Sequence, residues 1–124
     1  FIMFKNKLKI EAVPREDAYL LTSRLSYITN LGDKIHVPKH FKTNFASVPR
    51  LAKFYIDDDD WQIRAPSVVH DYLYSAESAE LGFTRKQADE VLLEAMMGLG
   101  MRKTKALLIY FVLRLFGGPN YEAR

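Results

Sequence analysis

The stretch TRKQADEVLLEAMMGLG, residues 84–100, decides the fold that this chain can adopt. Thr84 and Gln87 form the T-x-x-Q pattern of a capping box, in which the two residues satisfy amides at the start of a helix. The apolar residues that follow recur every three or four positions: Ala88, Val91, Leu92, Ala95, Met96 and Leu99. Gly98 and Gly100 end this pattern. The stretch therefore predicts an amphipathic helix that packs one face against a core.

Asp89 stands at the border of this apolar stripe. At about 100° per residue, its side chain lies between Leu93 and Met96 around the helix axis. Glu90 and Glu94 lie on the opposite, solvent side. A carboxylate at the edge of a buried face must find a hydrogen-bond donor or remain as a costly unpaired charge. We therefore expect a neighbouring helix to supply partners for Asp89.

The preceding stretch, APSVVHDYLYSA (65–76), is typical of a second helix with Pro66 at its first position. His70 and Tyr74 are one turn apart and share a face. Helices joined by a short connection usually pack antiparallel, which would bring Asp89 to both residues. We expect Asp89 to accept from the imidazole and from the tyrosine hydroxyl. The other ring nitrogen would then face solvent as a base.

The first third of the chain predicts a small antiparallel sheet. Three strands are expected: residues 8–13, 18–29 and 34–38. A helical part follows over residues 46–118. The prediction is a single α+β domain over residues 1–124, β-rich over 1–45 and completed by a bundle of three main helices.

Two further helices are predicted in the second part. Ser47 can cap a short helix over residues 48–56. The last helix, about 102–116, is apolar nearly all round and ends at Gly117. A buried core helix or a subunit interface is the first interpretation of such a helix. The alternative is a helix on a membrane surface, close to three basic residues: Arg102, Lys103 and Lys105.

Composition excludes several classes of protein. The chain has 124 residues, no cysteine and a formal net charge of +3. A disulfide scaffold is therefore excluded, and the mild positive charge does not indicate a nucleic-acid partner. No apolar stretch approaches the roughly 20 residues of a membrane span, and no signal peptide is expected. The G-x-S-x-G motif, a phosphate-binding glycine loop and a cysteine nucleophile are also missing.

The segment KTNFASVPR, residues 42–50, is a second candidate region. Asn44 and Ser47 favour turns and caps, and Arg50 adds a cation. A polar loop of this kind could present these three residues to a substrate. The alternative is a well-packed connection between a strand and a helix.

Four ordered motifs resemble a family of small phage and prophage proteins whose shared domain has no known function. They are TNFASVPR (43–50), APSVVHDYLY (65–74), TRKQADEVLLEAMMGLG (84–100) and ALLIYFVLRLFGG (106–118). The resemblance covers about residues 35–118. It implies a viral or prophage origin, and hence a location in the host-cell cytoplasm or in the virion.

HDYLY, residues 70–74, is also similar to the H-D-x-x-Y motif of phospholipase A-two enzymes. That resemblance implies that His70 activates water and that Asp71 binds calcium. It also implies that Tyr74 supports the histidine and that Asp89 orients it. The glycine-rich calcium loop of those enzymes has no counterpart here, unless NFASVP (44–49) replaces it.

Two classes of function follow. The first is a calcium-assisted hydrolase acting on an ester, with phospholipid as the expected substrate and a lipid or membrane surface as the partner. Its catalytic residues would be His70, Asp89 and Tyr74. The second is a non-enzymatic virion component, or an anti-defence or host-interaction protein that binds a viral or host protein. In that class the histidine cluster only satisfies buried polar atoms.

Overall fold

The computed structural model describes residues 3–44 and 61–123. The α+β prediction is confirmed, because short antiparallel strands come first and three main helices follow. The strands are β1 (Ile10–Ala12), β2 (Tyr19–Leu21), β3 (Leu25–Ile28), β4 (Lys34–Val37) and β5 (Lys42–Thr43). The helices are α1 (Trp61–Tyr74), α2 (Arg85–Gly98) and α3 (Lys103–Phe116), with short 3-10 helices at Ala76–Leu81 and Gly118–Asn120. The short helix predicted over 48–56 lies outside the described residues.

The described strands form two antiparallel sheets, where one was predicted. β2 pairs with β1 on one side and with β5 on the other, while β3 pairs only with β4. The single strand predicted over 18–29 is wrong, since the chain bends between β2 and β3. Three successive polar residues, 22–24, occupy the bend, and none of them is buried. The bend lets the buried Leu21 and Leu25 belong to different sheets.

Helix α1 begins at Trp61, five residues earlier than predicted, and Pro66 lies inside it. The proline ring removes one amide hydrogen bond, to the carbonyl four residues earlier. The burial of Ile63 explains why the helix nevertheless begins before the proline. Its side chain is buried in a cluster with residues of α2 and α3, among them Leu92 and Ile109. That burial outweighs one missing bond near the helix end.

Helix α2 has the limits that the sequence predicts. The Thr84 hydroxyl accepts from the Gln87 amide at 3.1 Å, and the Gln87 side chain accepts from the Thr84 amide at 2.9 Å. The helix ends at Gly98, and Gly100 follows with φ of +91°, a conformation that side chains rarely adopt. Helix α3 ends at Phe116, directly before Gly117, as predicted.

The core has two parts that meet at the helices. One part joins the strands to α1 and α2 through buried side chains such as Leu25, Ile35, Val69 and Leu73. The other lies among the three main helices. Helix α2 packs against both α1 and α3, so its inward face is enclosed from two sides. None of the helices in the described part of the chain has the length and hydrophobicity to cross a bilayer.

Candidate functional site

Asp89 is buried where the three main helices meet. Its Oδ1 accepts from the Tyr74 hydroxyl at 2.5 Å and lies 2.7 Å from Nε2 of His70. Its Oδ2 accepts from Nη1 of Arg114 on α3 at 2.8 Å. The contact expected among the residues His70, Tyr74 and Asp89 is therefore present, and Arg114 joins it. We call these four residues the Asp89 cluster.

Three donors keep the carboxylate of Asp89 ionised. Burial alone would raise its pKa, but the hydrogen bonds from His70, Tyr74 and Arg114 outweigh burial and hold the pKa of Asp89 below its ordinary value. A carboxylate can only accept, so Nε2 of His70 carries the proton in this contact. Burial, and then the hydrogen bond to Asp89, raise the pKa of Tyr74, which therefore remains a donor.

Arg85 connects this cluster to the end of α3. Its Nη2 donates to the carbonyl of Leu113 at 2.5 Å and to the carbonyl of Arg114 at 3.0 Å. Both carbonyls belong to the last turn of the helix, and the Leu113 carbonyl also accepts from the Gly117 amide at 2.8 Å. Its Nε also donates to the Tyr74 hydroxyl at 3.2 Å. The tyrosine hydroxyl is therefore held from two sides.

Gly117 leaves the space that this arrangement needs. A Cβ at this position would lie 2.7 Å from the carbonyl oxygen of Leu113 and 3.1 Å from the hydroxyl oxygen of Tyr74. The glycine thus ends α3 and also lets the chain pass close to the tyrosine.

Sequence reasoning missed Arg85, Arg114 and the second role of Gly117. One signal was available for Arg114, which is the only charged residue in the stretch ALLIYFVLRLF, 106–116. A cation in such a helix must reach water or a buried anion. Arg85 carried no comparable signal, because a cation in the first turn of a helix is usually only solvated.

The expectation that one ring nitrogen of His70 faces solvent is wrong. Both His70 and Asp89 are 0% exposed. The imidazole lies on the inward face of α1, and its ring centroid is 4.1 Å from that of Tyr74. Within residues 3–44 and 61–123, no buried side-chain nitrogen or oxygen lacks a hydrogen-bond partner. The cluster is closed and fully paired in this structure.

A cavity of about 400 Å³ lies next to the cluster, between β5, the end of α1 and the C-terminal residues. Asn44, Asp71 and Tyr74 line it, so three of the predicted site residues do meet there. The hydroxyl of Thr43 donates to Oδ2 of Asp71 at this wall. His70 is not part of the lining. Ser47 and Arg50, the other predicted substrate contacts, lie outside the described residues.

The calcium site that the phospholipase resemblance implies is only partly described, because all of NFASVP (44–49) except Asn44 lies outside the described residues. Calcium takes six to eight oxygen ligands, usually with several carboxylates among them. Asp71, Glu77 and Glu122 all line the cavity. However, no group of three carboxylate, histidine or cysteine side chains in the described part of the chain is arranged to hold a metal ion.

Comparison with known proteins gives one match. A family model described as "Protein of unknown function (DUF1353)" matches residues 19–113. No curated protein and no solved structure matches the chain significantly. The matched range contains His70, Tyr74, Arg85 and Asp89, and Arg114 follows it directly. The match spans well over half of the chain, so this protein belongs to the DUF1353 family.

Proposed function

We propose that the chain is a non-enzymatic binding protein of phage or prophage origin, in which the Asp89 cluster is structural. The burial of His70 carries this proposal. A general base must come within hydrogen-bond reach of the proton that it removes. An imidazole with 0% exposure, bonded to an equally buried carboxylate, has no contact with a substrate or with bulk water.

The position of the cluster supports a structural role. Asp89 receives donors from α1 and from α3, so a single carboxylate connects all three main helices. Breaking a buried, hydrogen-bonded charge pair commonly costs about 3–5 kcal/mol, because the remaining partner stays buried and unpaired. A structural role for the cluster therefore explains these polar residues in the core without a catalytic role.

The biological setting rests on the resemblance to phage and prophage proteins. Four motifs in the same order support it: three lie wholly within the matched residues 19–113, and the fourth overlaps their end. We propose a role in the virion or in the host-cell cytoplasm, as a structural component or as a binder of a viral or host protein.

A hydrolase is the second candidate, and one observation favours it. Asp89 holds Nε2 of His70 and the Tyr74 hydroxyl through the same oxygen, which is the support that the phospholipase resemblance implies. Once Nδ1 became accessible, His70 could take a proton from water while the water oxygen attacks an ester carbonyl. His70 would then give that proton to the departing alkoxide. The described residues support no step through calcium.

The substitution His70→Gln separates the two candidates. A glutamine amide can still donate to Asp89 from about the position of Nε2, but it has no basic nitrogen. We expect wild type and His70→Gln to release no fatty acid from phospholipid vesicles above background, with calcium or with chelator. Release by wild type that His70→Gln lacks would overturn the structural proposal and support the hydrolase.

Asp71 provides an independent comparison. Asparagine at this position can still accept from the Thr43 hydroxyl, but it lacks the negative charge that would bind a cation. Glu77→Gln removes a second carboxylate of the same cavity and serves as the matched control. We expect neither substitution to change vesicle hydrolysis. A calcium-dependent activity lost in Asp71→Asn and kept in Glu77→Gln would contradict the non-enzymatic proposal.

A further inference from the structure

The outward face of α3 is apolar. Four large side chains are exposed there: Leu108 at 38%, Phe111 at 56%, Leu115 at 76% and Phe116 at 57%. At about 100° per residue, the first three fall within roughly 60° of one another. The inward face of the same helix is buried through Ala106, Ile109 and Leu113. The helix therefore shows large apolar side chains on the side where an ordinary surface helix is polar. We call Leu108, Phe111 and Leu115 the outer stripe.

The charged residues of α3 and of the segments that flank it in the sequence have a single sign. From residue 95 to residue 121 the chain has no aspartate or glutamate, and it has four basic residues: Arg102, Lys103, Lys105 and Arg114. Arg114 is engaged with Asp89. Arg102 and Lys103 are exposed at the beginning of α3. A partner for this face must therefore offer an apolar surface together with negative charge.

We infer that the outer stripe docks on a phospholipid membrane surface that carries anionic headgroups. Helix α3 has 14 residues and is about 21 Å long, which is shorter than the roughly 30 Å of a bilayer core. It would lie in the plane of the interface, with the outer stripe at the boundary between headgroups and acyl chains. Arg102 and Lys103 would then face the anionic headgroups.

Charge complementarity favours a membrane over a second copy of the chain. In a symmetric pair, the outer stripe would meet another α3, which has no carboxylate to oppose Arg102 and Lys103. An anionic bilayer supplies both the apolar and the charged contact. This inference goes beyond the proposed function, because the outer stripe does not depend on whether His70 is structural or catalytic.

Removal of apolar area tests the outer stripe. The double substitution Phe111→Ser and Leu115→Ser changes two exposed side chains, so the fold should tolerate it. Leu31→Ser is the matched control, since Leu31 is 90% exposed in the turn before β4. In co-sedimentation with vesicles of phosphatidylcholine mixed with phosphatidylglycerol, we expect the α3 double variant to bind on the order of tenfold more weakly than wild type. Leu31→Ser should bind like wild type.

Removal of charge tests the choice of lipid. Wild type should bind the mixed vesicles and not vesicles of phosphatidylcholine alone, and salt should weaken its binding. Arg102→Gln with Lys103→Gln should weaken binding by about thirtyfold, since both cations would lie near the anionic surface. The control pair, Lys34→Gln with Lys39→Gln, removes two exposed lysines elsewhere and should have a much smaller effect.

Three results would overturn the inference. They are equal binding to both kinds of vesicle, no binding to either, and unchanged binding by the α3 variants. Sedimentation equilibrium identifies the main competitor. A wild-type dimer that Phe111→Ser with Leu115→Ser makes monomeric, without vesicle binding, would assign the outer stripe to self-association. The His70→Gln variant should bind vesicles like wild type, so a failed hydrolysis test and a failed docking test are distinguishable.

Discussion

Arg114 and Asp89 form an ion pair across 2.8 Å, although 25 residues separate them in the chain. The arginine is the only charged residue in the stretch 106–116 of α3, and the aspartate is completely buried. The buried aspartate would be unfavourable alone, because a charge inside a core needs a partner. Their pairing joins α3 to α2, and His70 and Tyr74 join α1 to the same carboxylate.

The first prediction concerns Asp89 itself. Asp89→Ala should lower the free energy of unfolding by about 3–5 kcal/mol, because it leaves three donors without an acceptor. Urea denaturation at neutral pH measures this change. Glu90→Ala is the control, since Glu90 is exposed on the next position of α2, and it should change stability by no more than about 0.5 kcal/mol. Equal effects of the two substitutions would contradict the role given to Asp89.

The second prediction concerns pH. The pKa of Asp89 is lowered in the folded protein, so the unfolded chain binds its proton more tightly. Its contribution to stability should be complete above about pH 4, near the ordinary aspartate pKa, and should be lost as the pH falls through the folded value. Urea denaturation between neutral and acid pH measures this loss in wild type and in Asp89→Asn.

Glu94 makes that comparison necessary. Burial raises the pKa of Glu94, so its contribution has the opposite sign and decreases as the pH rises. The difference between wild type and Asp89→Asn isolates Asp89 from Glu94 and from the other carboxylates. If both proteins lose stability in parallel on acidification, Asp89 is not the group responsible.

The third prediction concerns the close approach at Gly117. Gly117→Ala would place a methyl group 2.7 Å from the Leu113 carbonyl oxygen, so we expect a loss of about 1–3 kcal/mol in the free energy of unfolding. Gly98→Ala is the matched control, because a Cβ there meets nothing within 4 Å. That control should be neutral or stabilising by up to about 1 kcal/mol. Equal changes in the free energy of unfolding for the two variants would contradict the close approach at Gly117.

The fourth prediction concerns the Tyr74 hydroxyl. Tyr74→Phe removes the donor to Asp89 and the acceptor for Arg85, and should lower the free energy of unfolding by about 1–3 kcal/mol. Tyr110→Phe on α3 serves as a control for the loss of a tyrosine hydroxyl elsewhere. Thermal or urea unfolding of both variants measures the difference. An unchanged stability in Tyr74→Phe would show that the hydroxyl is dispensable to the cluster.

Local patterns predicted much of the helical part. The capping box at Thr84 and Gln87 and the glycines after α2 and α3 depend on neighbouring residues, so the limits of these two helices followed from the sequence. The misplaced charge of Asp89 predicted its partners on α1, because a buried carboxylate restricts what can lie beside it.

Tertiary packing decided what the sequence did not predict. The burial of Ile63 extends α1 beyond Pro66, and the bend at residues 22–24 depends on which sheet receives each strand. Arg85 reaches carbonyls of α3 that are 28 and 29 residues away. Packing also determines whether His70 is exposed. The contact between His70 and Asp89 is the same whether the cluster is buried or open, so predicting the contact did not predict the burial.

Modification by diethyl pyrocarbonate tests the central claim most directly, because it reports whether each imidazole is accessible. The chain has three histidines, and two of them, His36 and His40, are exposed. Peptide mapping of the native protein should find these two modified and His70 modified only after unfolding. Modification of His70 in the native protein at the rate of the other two would contradict the closed cluster and favour an accessible base.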